Sequence, residues 1–407
     1  MNSALSHITV LDLSRVLAGP WAGQVLADLG AEVIKVERPG TGDDTRGWGP
    51  PFLRDAQGND SADAAYYLCA NRNKKSITVD FTTPEGQAII RELACKSDVV
   101  LENFKVGGLE SYGLDYASLR ALNPRLVYCS ITGFGQTGPY APRAGYDLLV
   151  QAMGGLMSIT GRQDGEPGAG PQRVGVAVTD ILTGLYAAIG VLAALAHRDR
   201  SGVGQHIDIG LLDVQVACLA NQAMNYLVSG SAPRRYGNAH PNLVPYQDFP
   251  TSDGYMVIAV GNDAQFARLC AVAGLTALAE DPAFRTNKMR VANRRELIDT
   301  LSAATVTQPT AHWVAALEKV GVPAGPINSL DSVFDDPQVR ARGMQIELPH
   351  PVAGSVSLVA NPLRLSETPV TYRSAPPPLG AQTQEVLAER LDMQAVDIAA
   401  LRAKGII

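Results

Sequence analysis

What the chain has little of narrows the field first. Lysine and arginine total 34 against 40 aspartates and glutamates, so there is no cationic excess and the formal net charge is -6. That balance repels nucleic acid and anionic membrane on average, which leaves any anionic ligand to a local basic patch. The five cysteines, Cys69, Cys95, Cys129, Cys218 and Cys270, are odd in number and form no CxxC pair. Neither a disulfide framework nor a zinc site is indicated, no metal is expected, and the thiols read as small buried side chains in a reducing compartment. The longest apolar stretch, Ile181 to Ala196, is interrupted by Thr183 and Gly184. It falls short of the roughly 18 to 20 residues needed to span a bilayer and reads as a buried helix. The opening MNSALSHITVLDLSR carries Asp12 inside its apolar stretch and has no basic flank, unlike a secretory signal. A cytoplasmic protein with no membrane and no nucleic-acid partner is expected.

Two phosphate-binding signatures are missing as well. The turn RVLAGPWAG lacks the GxGxxG spacing that lets a backbone approach a pyrophosphate, although it lies within a β-α-β unit. GRQDGEPGAGP, from Gly161 to Pro171, has no Lys-Ser/Thr ending and no strand directly before it, so a mobile loop is the plainer reading.

What is present describes an α/β enzyme. At 407 residues, 46% apolar and 18% charged, the chain exceeds the size at which one core stops growing, and two domains, or one large domain with a substantial insert, are expected. Ile8–Ser14 alternates as a strand does, Ala18–Gly30 follows with Pro20 near a helix start, and AEVIKVERPG gives a second strand. The rhythm continues through SITVDF, a helix from Pro84 to Lys96 opened by Thr83, DVVLENF, a helix near Tyr116 to Leu122, and LVYCSITGFG. This predicts a doubly wound, Rossmann-like parallel sheet in a large domain over 1–228. A Pro-, Gly-, Asn- and Arg-rich linker is expected over 229–247, a smaller α+β domain over 248–330, and a segment returning to the large domain over 331–407.

One carboxylate stands out. In RVGVAVTDILTGLYAAIGVLAALAH, Asp180 interrupts an otherwise apolar stretch, where an unpartnered charge would be costly. After a strand VGVAV, Thr179 or Asp180 could simply cap the following helix. Equally, a carboxylate held at a helix start stays ionised and positioned, and can attack an activated acyl group. The two readings are compatible.

Several stretches, in order, carry a resemblance over the whole chain: VLDLSRVLAGPWAGQVLADLGAEVIKVERPGTGDDTRGW, NRNKKSITVDFTTPEG, VVLENFKVGGLESYGL, YCSITGFGQTGPY, GYDLLVQAMGGLMSITG, VTDILTGLYAAIGVLAAL and GQHIDIGLLD. The chain resembles the class III CoA-transferase family, which includes formyl-CoA transferase and α-methylacyl-CoA racemase. The resemblance implies that Asp180 takes and relays the acyl group. It implies coenzyme A contacts from Val16, Leu17, Arg38, Arg72, Asn73, Lys75, Asn103, Phe104 and Tyr146, and a glycine-containing loop at Gly261 and Asn262. That turn would otherwise be an ordinary strand-to-helix turn. The resemblance further implies an interlocked homodimer and no tightly bound cofactor, the CoA thioester being a substrate.

Departures from the family pattern refine this expectation. Leu17 stands where formyl-CoA transferase has a glutamine, which argues against formyl or oxalyl substrates, and Ser111 stands where it has an arginine. The racemases carry Gly-His-Asp where this chain has Gly145-Tyr146-Asp147. A tyrosine is a poor base at neutral pH, so transfer is favoured over 2-methylacyl-CoA racemisation or epimerisation. NAHPNLVPYQDFPTSDGY and AVGNDAQF look like the branch that moves CoA between succinyl-CoA and other dicarboxylic acids such as glutarate. A distal carboxylate suits a guanidinium, and Arg15 and Arg173 are the candidates, with His240 a third.

Overall fold

The computed structural model describes residues 3–407. Six strands form one parallel sheet: β1 (Thr9–Asp12), β2 (Glu32–Glu37), β3 (Lys74–Thr78), β4 (Val99–Glu102), β5 (Val127–Thr132) and β6 (His206–Gly210). Their order is β3-β2-β1-β4-β5-β6, with all pairs parallel, so the strand sequence reverses between β1 and β4. In such sheets the crevice at the carboxyl ends beside that reversal is where ligands bind.

Alternation along the strands fills both faces. Val10, Val33, Val99 and Val127 point to one layer, with Ala22 and Leu26 of helix Ala18–Asp28 and Ala187, Val191 and Leu195 of helix Val178–Ser201. Leu11, Ile34, Val100 and Tyr128 point to the other, with Ile90 and Leu93 of helix Pro84–Cys95 and with Val386, Leu387 and Ile398 from near the chain's end. A period of two places neighbouring residues on opposite faces, and helices on both faces make the strands near-continuously apolar. Helix Pro84–Cys95 starts as its sequence predicts, with Thr83 accepting a hydrogen bond from Gly86 N at 3.1 Å.

The chain divides into two compact units. The first holds residues up to Gly155, Val174–Ala223 and Pro337–Ile407; the second holds Leu156–Arg173 and Met224–Asp336. The expected boundary at 228 therefore misses a short excursion of 156–173 into the second unit, and the return starts at Pro337 rather than 331. In the second unit, Tyr246–Pro250, Tyr255–Ala259 and Ala324–Pro326 form an antiparallel sheet against a core that includes Phe249, Phe266, Leu301 and Trp313. Buried Arg290 lies 4.4 Å over the Phe266 ring and donates to Val244 O, Phe284 O and Asp263.

Three expectations change. VGVAV is not a strand: Val174–Ala177 is irregular, Val176 is exposed, and Val178 already opens the helix. The apolar helix Val178–Ser201 is long and apolar enough to cross a membrane by composition, yet one of its faces packs in the first unit. It is not fully buried, because Leu185, Tyr186 and Ile189 are exposed. Among the cysteines, Cys129 and Cys270 are buried, whereas Cys69 and Cys95 are exposed.

Candidate active site

A cleft of about 380 Å³ in the first unit gathers residues from several distant stretches. The turn after β1 supplies Arg15, Val16, Leu17 and Ala18. Its backbone is bound by buried or half-buried side chains: Asn103 Oδ1 accepts from Arg15 N at 2.9 Å, and Asn103 Nδ2 donates to Arg15 O at 2.7 Å. Lys35 Nζ donates to Ser14 O at 3.0 Å, and Val16 N donates to the Asp43 carboxylate at 3.3 Å. Lys35 and Asp43 pair at 2.8 Å with both side chains fully enclosed. Burial alone pushes the Asp43 carboxyl up, but Lys35 and the Thr45 hydrogen bonds outweigh it and bring the pKa down to about 2.

Asp180 reaches the same cleft from the first turn of helix Val178–Ser201. The helix is not capped by its own residues, since Ala177 precedes it and offers no side-chain acceptor. The cap comes from Asp147, whose Oδ1 accepts from Thr179 N at 2.9 Å and from Asp180 N at 3.3 Å. Gln151 Nε2 donates to the other Asp147 oxygen at 2.6 Å, and Thr179 Oγ1 donates to Gln215 Oε1 at 2.6 Å. With capping done by another residue, neither Thr179 nor Asp180 serves as the cap. The Asp180 carboxylate accepts no hydrogen bond among the described residues. Its half-buried position, and then the neighbouring Asp147 charge, push its pKa up to about 7.

Two glycine contacts let these pieces approach. A Cβ on Gly184 would lie 2.6 Å from Ala18 O, so glycine is what allows helix Ala18–Asp28 to start beside the first turns of the Asp180 helix. A Cβ on Gly133 would lie 2.6 Å from Gly145 Cα, which brings the end of β5 against the segment bearing Tyr146. Gly184→Ala is expected to cost about 1–3 kcal/mol by overpacking. It should also lower kcat/KM at least about tenfold, because small displacements of reacting groups are costly. Thermal unfolding and steady-state rates of the variant check both.

An adjoining hollow of about 210 Å³ shares Arg15, Asp44, Phe104 and Gly108 with the cleft. Arg38, Phe81 and Tyr112 line it, with Phe81 edge-on to Phe104 at 5.7 Å and to Tyr112 at 5.8 Å. A guanidinium beside an aromatic wall is suited to a phosphorylated, flat-ringed group. Phe81 and Tyr112 lie in the stretches SITVDF and LESYGL without being singled out there, and only the fold brings them together.

The structure thus gathers Arg15, Val16, Leu17, Asn103, Phe104, Tyr146 and Asp180 around the cleft and Arg38 around the hollow. Arg15 pairs through Nη1 with Asp44 at 3.3 Å, its Nε is buried without a partner among the described residues, and its guanidinium lies 5.3 Å over Phe104, while Tyr146 is 65% exposed and open to a ligand. Arg72, Asn73 and Lys75 line neither. Arg72 is buried against Asp28 and Val359 O, and Asn73 donates to Asp28 and Thr371 O. Lys75 pairs with Glu32 at 3.1 Å and Glu385 at 2.7 Å. The charges of Arg72 and Lys75 and the amide of Asn73 answer structural carboxylates, a use that a motif in isolation does not reveal.

The remaining candidates lie in the second unit. Gln265 N donates to Asn262 Oδ1 at 2.9 Å and Gly261 N donates to Gln265 Oε1 at 2.8 Å, a reciprocal cap at the start of helix Asp263–Val272. His240 Nδ1 accepts from Asn242 N and Leu243 N, so its ring organises its own loop. Arg173 is exposed.

Comparison with known proteins gives these features a context. Residues 5–383 match the family model described as CoA-transferase family III. The chain is 55% identical to succinate–glutarate CoA-transferase of Agrobacterium fabrum, over 95% of each chain. It is 45% identical to human succinyl-CoA:glutarate CoA-transferase, over 99% of this chain and 90% of the relative. A crystal structure of a CaiB/BaiF family protein from Brucella suis matches with a TM-score of 0.84 and 52% identity, over 96% of this chain and 100% of that one. The parallel sheet, the cleft at its carboxyl edge and the full-length matches lead to one assignment: the chain belongs to CoA-transferase family III, enzymes that transfer CoA groups.

Proposed function

We propose that the protein moves CoA from succinyl-CoA to a dicarboxylic acid, glutarate first among them, with Asp180 as the covalent relay. The observation that carries this reading is the Asp180 carboxylate itself, set in the cleft wall, accepting no hydrogen bond among the described residues and poised to ionise near neutrality. The names of the succinyl-CoA and glutarate relatives support the substrates.

One Asp180 oxygen attacks the succinyl thioester carbonyl, forming a mixed anhydride and expelling CoA thiolate. The thiolate attacks the Asp180 carbonyl, giving an aspartyl-CoA thioester and releasing succinate, which carries away an Asp180 oxygen. Glutarate attacks that thioester, the thiolate leaves again, and it then attacks the glutaryl carbonyl of the second anhydride. Glutaryl-CoA departs and Asp180 is a carboxylate once more, now holding one glutarate oxygen. Partial enclosure of the cleft protects the anhydrides from water. The hollow around Arg38, Phe81 and Tyr112 takes the nucleotide end of CoA, and the exposed end of the Arg15 guanidinium, exchanging its Asp44 partner, takes the distal carboxylate of the acid.

The test is turnover with succinyl-CoA and glutarate carrying ¹⁸O in its carboxylates. Glutaryl-CoA should form without ATP, and ¹⁸O should reach succinate from the second turnover onward. Succinate that never acquires label, or α-deuterium exchange without transfer in heavy water, would sink the proposal. The pH profile is a separate check: an ionised nucleophile makes kcat/KM climb about tenfold per pH unit below about 7 and level off above it.

The protein acts in the cytoplasm as a homodimer in this reading. Leu148, Leu149 and Met153 on helix Asp147–Met153 and Leu185, Tyr186 and Ile189 on the Asp180 helix give the first unit an apolar face for a second copy to cover.

A further inference from the structure

Val16 is the anomaly of the cleft. It is β-branched, lies in the cleft wall, and holds φ at 71°, a left-handed conformation that L residues other than glycine seldom adopt. Such a conformation persists only where the surroundings over-determine it, and its place is characteristically a ligand-contacting turn.

The surroundings that do so here are identifiable. Val16 N donates to both oxygens of Asp43. Asp43 is in turn fixed by the Lys35 ammonium and by Thr45, which donates its N–H at 3.0 Å and its hydroxyl at 2.8 Å. Lys35 closes the loop by donating to Ser14 O, two residues before Val16. A buried ion pair therefore grips the turn at both ends, while Asn103 holds Arg15 between them. Lys35 comes from β2 and Asp43 from the loop after it, so the grip ties the turn to the sheet.

We infer that Asp43, charge-balanced by Lys35, is a positioning residue that holds Val16 left-handed and so shapes the wall of the acyl-CoA cleft. The inference rests on the transferase reading for its effect on rate, and on the Val16 backbone for its structural content. A buried ion pair contributes little net stability compared with an apolar replacement, and a positioning use accounts for keeping one in this place.

The experiment is a double-mutant cycle with Asp43→Ala and Val16→Gly, since glycine takes positive φ without being held there. Asp43→Ala should lower kcat/KM for succinyl-CoA at least a hundredfold with Val16 present, and at most tenfold in the Val16→Gly background. The melting temperature lost with Asp43→Ala should not return with Val16→Gly, which separates positioning from general stability. If Asp43→Ala fails to fold, Asp43→Leu together with Lys35→Met, which removes the acceptor without leaving a buried ammonium unpaired, gives the same comparison. Equal losses in both backgrounds overturn the inference. A crystal structure of the Asp43 variant in which Val16 keeps its left-handed φ also overturns it. A wild-type protein without transferase turnover refutes the proposed function instead, and leaves this inference to be decided by that crystal structure alone.

Discussion

Asp180→Asn is expected to abolish CoA transfer and, at pH 8, to make the protein harder to unfold. The loss of activity follows from chemistry: an amide is no nucleophile toward a thioester, and covalent relay has no second route, so turnover should fall at least about 10³-fold. The gain in stability follows from linkage. Asp180 has a folded-state pKa of about 7, above the ordinary 3.8, because burial and Asp147 disfavour its charge. Between those values the folded state binds the proton more tightly than the unfolded state, so stability falls as pH rises through the window, and above about 7 the full penalty is present. A neutral isostere removes it. Each pKa unit corresponds to roughly 1.4 kcal/mol, and partial exposure of the side chain reduces the recoverable part to on the order of 1–2 kcal/mol. Thermal unfolding of both proteins at pH 5 and pH 8 is the measurement: the difference should be larger at pH 8. A variant that loses activity and also loses stability at pH 8 would show that Asp180 is a structural group.

The second large effect concerns a residue outside the cleft. Asp28→Ala should destabilise the first unit by about 3–5 kcal/mol, because it leaves a buried guanidinium without its counter-charge. The Asp28 carboxylate is fully buried and accepts from Arg72 Nε at 2.9 Å, Arg72 Nη2 at 2.5 Å, Asn73 Nδ2 at 2.8 Å and Asn361 Nδ2 at 3.0 Å. It thereby joins helix Ala18–Asp28, the loop before β3 and the returning segment. Arg72→Met together with Asp28→Leu should recover much of the loss, since replacing both charges by apolar groups removes the unpaired ion. Denaturant unfolding measures both, and an additive double variant would refute the buried-pair account. CoA affinity should change little in the paired variant, because Arg72 is turned away from the cleft.

How much was readable in the sequence depends on the range of the interactions involved. The strands and helices of the first unit follow from local periodicity and caps: Thr83 before Pro84, alternation in EVIKVE, turn residues between elements. Asp180 was legible because a charge in an apolar run is conspicuous by itself. Its cap was not, since Asp147 is 33 positions away and only the fold brings the two together. For the same reason the coenzyme A contacts that the family resemblance implies for Arg72 and Lys75 of NRNKKS stand only until Asp28 and Glu385 are seen to claim them. The VGVAV stretch has the composition of a strand, but among the described residues it pairs with no other strand. The left-handed Val16 leaves no trace in residue type at all, because a β-branched residue is the last one a conformational propensity would place there.

The segment that returns to the first unit also closes the sheet. β3 is an outer strand, and its backbone does not face water along its free side: Ser76 N donates to Gln382 Oε1, 306 positions later, and Thr78 N donates to Thr383 Oγ1. Asp80 N reaches still further, to Ile406 O at 2.7 Å. During synthesis, that edge must wait while the whole second unit is made. A nascent chain therefore carries an unshielded template for strand addition through most of its translation, and the danger of pairing with a neighbouring nascent chain lasts until the residues around Gln382 emerge.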